Sequence, residues 1–433
     1  MRLLIKGGQV IDPANDLDQI MDLLIEDGLI SRIGINIDEN EVEVIEARDM
    51  LVCPGFIDMH VHLREPGFEY KEDIVTGTRA AAVGGFTTVC CMPNTQPVID
   101  SAPVARFIRE KAEKAGLVKV YPIGAISKGQ AGQELSEVAD LLAAGCVAIS
   151  DDGKPVLKSN VMRNALEYTK MFGIPVLSHC EDMELSSEGQ MHEGYYSTIY
   201  GLKGIPAAAE ELMVARDLAL AELTGGHIHI CHLSTAGSLE LVRQARKRGV
   251  SVSCEVTPHH LTLSDEILGD YDSDAKVNPP LRSVDHIQAL IEGLQDGTID
   301  CIATDHAPHH REAKDCEFQL AAMGISGLET AVAVIMDRLV HQGKLDVFDM
   351  VRLFTCGPAD ILGLEGGTLS IGARADLTII DPQALRKVEP EKFQSKGKNT
   401  PFKGQVLKGW PFITIVNGKI VAREGSIVQG GQD

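Results

Sequence analysis

The chain has no positive surplus to offer a polyanion. Its 40 Lys and Arg are outnumbered by 62 Asp and Glu, a formal charge of −22 over 433 residues. That excludes a general nucleic-acid or membrane-surface binder, and an anionic substrate would need cations placed locally. No apolar run approaches the ~18–20 residues of a membrane span. The opening MRLLIKGG has three apolar residues before its lysine, too few for a secretory signal. The ten cysteines include no CxxC pair, and Cys90, Cys91, Cys180, Cys231, Cys254 and Cys301 fall in apolar, strand-like runs. They read as reduced core residues of a cytoplasmic protein, not as a disulfide framework or a thiolate metal site. Repeats and low-complexity tracts are missing as well. What remains is ordinary for a soluble globular chain: 44% apolar residues and a mean hydropathy near zero. The length allows one large domain and a smaller one.

Both ends read as β-structure. LLIKGGQVID and DLLIEDGLISRIG are short-strand patterns with turns expected at Gly7–Gly8 and Asp27–Gly28. GTLSIGARADLTIIDP and FITIVNGKIVAREG repeat the texture near the other end, with a hairpin signal at Asn417–Gly418. This suggests one composite β-domain from residues 1–52 and 367–433. Between them, strand-like runs start at Gly55, Phe86, Lys119, Val147, Pro175, His227, Ser251 and Asp300. Helical patterns separate several of them, at Ser101–Ala115, Glu134–Ala144 and Ala207–Leu223, each stopped by glycine. Eight such alternations over residues 53–366 predict an α/β fold, a (β/α)8 TIM-like barrel, whose catalytic groups sit at the C-terminal strand ends. The basic stretch Lys396–Lys403 reads as a solvated loop leading into the last strands.

His60 and His62, in GFIDMHVHL, lie two residues apart on the first of these runs. Side chains at i and i+2 of a strand share a face, so the two imidazoles converge on one point. Four later runs end in a further candidate ligand: SDDG at 150–153, His179 in SHCED, His232 in CHLS and Asp305 in TDHAPH. In SDDG either Asp151 or Asp152 could be the ligand, the other capping a turn. Imidazole and carboxylate donors suit Zn2+. Six ligands exceed one tetrahedral zinc, so two ions sharing a bridging carboxylate fit the count better. His60, His62 and Asp305 are assigned to one ion, His179 and His232 to the other. Asp305, beside the metals, is the natural general acid/base.

The segments HVHLREPG, MPNT, SDDG, HCED, CHLS, NPPLR, TDHAPH and GLET, in this order, resemble the amidohydrolase superfamily, and most of all dihydroorotases of the long bacterial type. The resemblance spans nearly the whole chain. It implies a dizinc cyclic amidohydrolase interconverting N-carbamoyl-L-aspartate and L-dihydroorotate in pyrimidine synthesis. It implies Asp152 as the bridging ligand, with His60, His62, His179, His232 and Asp305 completing the set. It further implies substrate contacts from His62, Arg64, Asn94, Asn278, His309 and the backbone at Met323–Gly324. Arg64, two beyond His62 on the same strand face, could present a bidentate fork to a carboxylate, the local cation the chain needs. His310 and the pair His259–His260 read as structural.

Hydantoinases and allantoinases commonly bridge their metals with a carboxylated lysine after the fourth strand. Here that place reads AISDDG, and Lys154 falls beyond the glycine as a loop residue. The competing readings are another cyclic-amide hydrolase, of allantoinase or hydantoinase type, and a non-catalytic scaffold for aspartate transcarbamoylase. The resemblance also brings in two assemblies, a homo-oligomer and an association with that transcarbamoylase. The segment His310–Ala322, following the last barrel strand, is a candidate lid.

Overall fold

The computed structural model describes residues 2–428. Short apolar runs bounded by Gly or Pro become the central strands: β1 Phe56–Val61, β2 Phe86–Cys91, β3 Lys119–Pro122, β4 Ile149–Ser150, β5 Val176–Ser178, β6 Ile228–Ile230, β7 Val252–Val256 and β8 Cys301–Ile302. Each starts within two residues of its predicted start. All but β3 are buried along their whole length, as parallel strands covered on both faces must be. Strands β1 to β3 pair in parallel, and so do β4 to β8. Single parallel bridges, Gly124 to Ile149 and Val61 to His306, join the two arcs into a closed barrel. Phe56, Phe86 and Phe354 plug one end, with the rings of Phe56 and Phe354 stacked at 5.2 Å.

Helices cover the strands. Ala102–Ala115 follows Ser101 and stops where Gly116 turns left-handed, and Ala208–Thr224 stops in the same way at Gly225. The helix expected over Glu134–Ala144 is shorter, Val138–Ala143. Leu135 instead bridges to Ser127, and Ser136 N–H donates to Ile126 O, which holds the preceding residues extended. No helix among the described residues is long and apolar enough to cross a membrane.

A second sheet takes strands from both ends of the chain. Leu51–Pro54 lies between Arg2–Asp12 and Leu377–Lys387, and the latter pairs with Val406–Val416. The hairpin at Asn417–Gly418 has both residues at positive φ, 49° and 77°, as the twist-matched two-residue turn requires. Gly7–Gly8 is not a turn. Arg2–Asp12 runs straight through it with a register shift, so the glycines form a β-bulge, Gly7 at φ 70°.

The stretch Lys396–Lys403 is not a solvated loop either. Ser395, Asn399, Thr400 and Phe402 are buried, and the segment lies against the barrel mouth. Glu329 accepts the N–H groups of Gln394 and Ser395 at 2.9 and 3.0 Å. Glu72 accepts from Ser395 Oγ. Two of its three lysines bond carbonyls, Lys398 Nζ to Phe393 O and Ser395 O and Lys396 Nζ to Glu69 O, while Lys396 and Lys403 stay exposed. All ten cysteines are free thiols, eight of them buried.

Candidate metal centre and active site

His60 lies in β1 and His62 just past it. Asp152, His179, His232 and Asp305 follow the ends of β4, β5, β6 and β8 within three residues. The strands therefore bring all six to one end of the barrel, where parallel-barrel sites form. Asp152 sits among four imidazoles. Its Oδ1 is 3.4 Å from His60 Nε2, 3.7 Å from His179 Nδ1 and 3.6 Å from His232 Nε2. Its Oδ2 is 3.5 Å from His62 Nε2. Asp305 Oδ1 is 3.0 Å from His62 Nε2 and 3.5 Å from His60 Nε2.

These spacings and donors suit a metal. Ligands ~2.0–2.2 Å from a tetrahedral zinc stand roughly 3.3 Å from one another. His60 Nε2, Asp152 Oδ1 and His232 Nδ1 are buried and lack a hydrogen-bond partner among the described residues, a costly condition that ion coordination relieves for atoms facing the cluster. Two clusters of candidate ligands stand out: His60 with His62 and Asp305, and His60 with Asp152 and His232. His60 belongs to both. His179 stands slightly apart, with Nδ1 2.9 Å from His232 Nε2 and Nε2 2.8 Å from Glu181.

Neighbours fix which ring nitrogen faces inward. Glu255, fully buried on β7, is 2.5 Å from His60 Nδ1 and leaves Nε2 to the cluster. Burial opposes the charge of Glu255, but His60 and His229 prevail and hold its pKa at about 2. Asn94 Oδ1 is 2.9 Å from His62 Nδ1, so Asn94 does the same for His62, and its Nδ2 approaches Asp152 Oδ2 at 3.5 Å. Burial also works against ionised Asp305. His60 and His62 outweigh it and hold the carboxyl well below the usual range.

A cavity of about 250 Å³ opens onto the cluster. Of the residues singled out in the sequence, all but the fully buried His60 line it, Arg64, Asn94, Asn278, His309, Met323 and Gly324 included. Gly153 and Ala307, inside SDDG and TDHAPH, line it too and were not singled out. Arg64 arrives differently from expectation. The strand ends at Val61, and Arg64 has φ 61°, a left-handed backbone that turns the guanidinium into the cavity instead of strand alternation. Its Nε donates to Pro308 O at 3.3 Å, and burial lowers its pKa to about 10, still cationic at neutral pH. Glu65, the acid next to it in sequence, pairs with Lys111 and leaves the guanidinium free of that neighbour. Burial and the nearby Arg64 push His309 down to about 2, so it is neutral, and its Nε2 is 3.0 Å from Met323 O. Asn278 Nδ2 donates to Glu181 Oε2 at 2.9 Å.

Glu181 and Glu255 were missed. Both had a signal: Glu181 lies two residues past His179, and Glu255 is an acid in the otherwise apolar run VSCEV. Lys154 lies outside the cavity lining, as expected of a loop residue. In the candidate lid, Lys314 is buried and its Nζ donates to Ser273 O, Lys276 O and Ala322 O, which pins the middle of that segment.

A barrel carrying such a cluster at its strand ends, joined to a sheet from both termini, defines a class. The chain belongs to the amidohydrolase family, whose model matches residues 51–421. Within it the chain groups with the dihydroorotases. It is 56% identical to the dihydroorotase of Pelotomaculum thermopropionicum, over 98% of this chain and 99% of that one. It is 54% identical to the dihydroorotase of Acetivibrio thermocellus, over the same shares. Among solved structures it is similar to L-hydantoinase (dihydropyrimidinase) from Arthrobacter aurescens, with a TM-score of 0.89 and 25% identity, covering 98% of this chain and 97% of that one. D-hydantoinase from Thermus sp. gives a TM-score of 0.83 at 28% identity, covering 98% and 96%.

Proposed function

We propose that the protein is a cytoplasmic dizinc dihydroorotase that interconverts N-carbamoyl-L-aspartate and L-dihydroorotate in pyrimidine synthesis. Residues 53–366 form the catalytic barrel, apart from Cys53 and Pro54, whose backbone pairs in the composite sheet. Residues 1–52 with 367–433 form the accessory domain, of which residues 1 and 429–433 lie outside the described structure. His60, His62 and Asp305 would hold one zinc, His179 and His232 the other, and Asp152 both. Zinc bound there supplies Lewis acidity toward a carbonyl oxygen and lowers the pKa of water into the neutral range.

This chain's own residues do the rest. Arg64 holds the substrate carboxylate with a charge-assisted fork, and Asn94 and His309 complete that site. Asn278 and the Met323–Gly324 backbone orient the amide groups. For ring opening, water adds to the amide carbonyl carbon and the C–N bond breaks. Asp305 takes the proton from that water and returns it to the departing nitrogen. Ring closure runs the same transfers backwards.

The observation that carries this reading is Asp152, an aspartate at the end of β4 whose oxygens stand 3.4–3.7 Å from four imidazoles. Beside it Arg64 offers a cation suited to a ring that bears a carboxylate. Protein purified without chelator should carry close to two zinc ions per chain and turn over dihydroorotate far faster than hydantoin or allantoin. Full turnover by metal-free protein, or preference for hydantoin, overturns the reading. Loss of all turnover with metals bound would favour the scaffold instead.

A further inference from the structure

The loop between Leu377–Lys387 and Val406–Val416 leaves the accessory sheet and crosses the barrel mouth. Asn399, on this loop, is 3% exposed. Its amide is engaged on both sides. Oδ1 accepts from the backbone N–H of His309 at 3.0 Å and from Ser326 Oγ at 2.9 Å. Nδ2 donates to Ala307 O at 3.2 Å and Gly324 O at 2.9 Å. Four bonds use its acceptor oxygen twice and both N–H donors, its whole capacity.

All four partners belong to two short segments, 307–309 and 324–326, that carry His309 and Gly324 into the cavity. Neither segment is helix or regular strand; a parallel bridge from His306 to Ile325, with Ala307 N–H bonded to Ile325 O at 2.9 Å, joins them at one end, and His309 Nε2 lies 3.0 Å from Met323 O. They touch closely: a Cβ on Gly324, at φ 146°, would stand 2.7 Å from Ala307 O. Asn399 itself does not line the cavity of the candidate metal cluster. The loop has other anchors, Glu329 and Glu72 on Gln394 to Lys396, so removing one amide leaves it docked.

We propose that Asn399 is a positioning residue: it sets the spacing of His309 and the Met323–Gly324 backbone and thereby the fit of the substrate. The inference rests on the proposed role of those residues in substrate binding. An amide with a merely structural role lowers the fraction of folded enzyme, which reduces kcat per chain and leaves KM unchanged. A positioning amide raises KM.

The test is steady-state hydrolysis of dihydroorotate by zinc-loaded Asn399→Asp and Asn399→Ala, with metal content and Tm measured on the same samples. Aspartate keeps the acceptor but faces Ala307 O and Gly324 O with oxygen. Both variants should raise KM about ten-fold, the scale of a lost hydrogen bond, with kcat within about three-fold and two metals retained. Wild-type KM in either folded variant overturns the inference. Should both fail to fold, Ser326→Ala, which frees one lone pair of Asn399 Oδ1, carries the test: a smaller rise in KM is expected, and an unchanged KM overturns it. His309→Ala runs beside them. Unchanged KM there overturns the site reading itself, whereas raised KM there with wild-type KM in the Asn399 variants overturns only the inference about Asn399.

Discussion

Arg64, His232 and Asp305 have φ of 61°, 32° and 45°, backbone conformations that residues with side chains avoid. Such strain persists where surrounding structure imposes it, and it gathers at functional sites. For Arg64 the gain is direction: the guanidinium enters the cavity one turn of backbone away from the histidines. Arg64→Met should cost roughly 2–5 kcal/mol of substrate binding, at least ~30-fold in kcat/KM, with zinc content unchanged. Loss of zinc, or wild-type kcat/KM, would remove Arg64 from the substrate site. At this scale the sequence was most legible where residue type and strand position coincide, as at His60, His62, His179 and Asp305. Glu255 escaped because its partners, His60 and His229, are identified only by the barrel's curvature, His60 lying 195 residues away. Asn399 escaped for a related reason, since nothing local marks an Asn whose four partners are near residue 309 and residue 325.

Among elements, strand starts were readable because buried strands are short apolar runs with abrupt ends. Two readings failed where tertiary contacts overrode local pattern. Residues 134–137 have helical composition, yet backbone bonds to Lys128 and Ile126 extend them. The Lys396–Lys403 loop looked solvated from its charges, but Lys396 and Lys398 bond carbonyls while Asn399 and Phe402 are buried. Glu329 makes that docking sensitive to pH. Burial raises its pKa from 4.5 to about 7. The folded state then favours the protonated acid, so this contribution is complete below about 4.5, and it is lost as pH rises through about 7. Glu329→Gln cannot ionise, but it keeps only one of the two acceptor oxygens and so gives up the bond to Gln394 or to Ser395 at every pH. Its Tm should gain on the wild type between pH 5 and 8. A pH-independent Tm difference would show that Glu329 does not titrate in this window.

For the whole molecule, the candidate ligands come from β1, β4, β5, β6 and β8, strands on both arcs of a barrel closed by two single bridges. Ions bound there stabilise the folded state by mass action. Chelation should therefore lower Tm by several degrees in scanning calorimetry, and added zinc should restore it. An unchanged Tm would mean that the cluster holds no ion tightly. The barrel was legible from eight regular alternations. The composite sheet was legible only as texture at both ends, because pairing between residues so distant in sequence leaves no local mark.

That sheet also sets an order of events during synthesis. One edge of Leu51–Pro54 pairs with Arg2–Asp12, while the other waits for Leu377–Ile380. With about 320 residues between them, at roughly 5–20 residues per second, the wait is about 15–65 s. The barrel, encoded wholly within that interval, can begin to close while the ribosome still works. The N-terminal strands cannot, and they carry an open apolar edge, the kind that captures other strands. Leu51–Pro54 is thus open to mispairing for as long as Leu377–Ile380 is unmade, and that later strand ends the exposure.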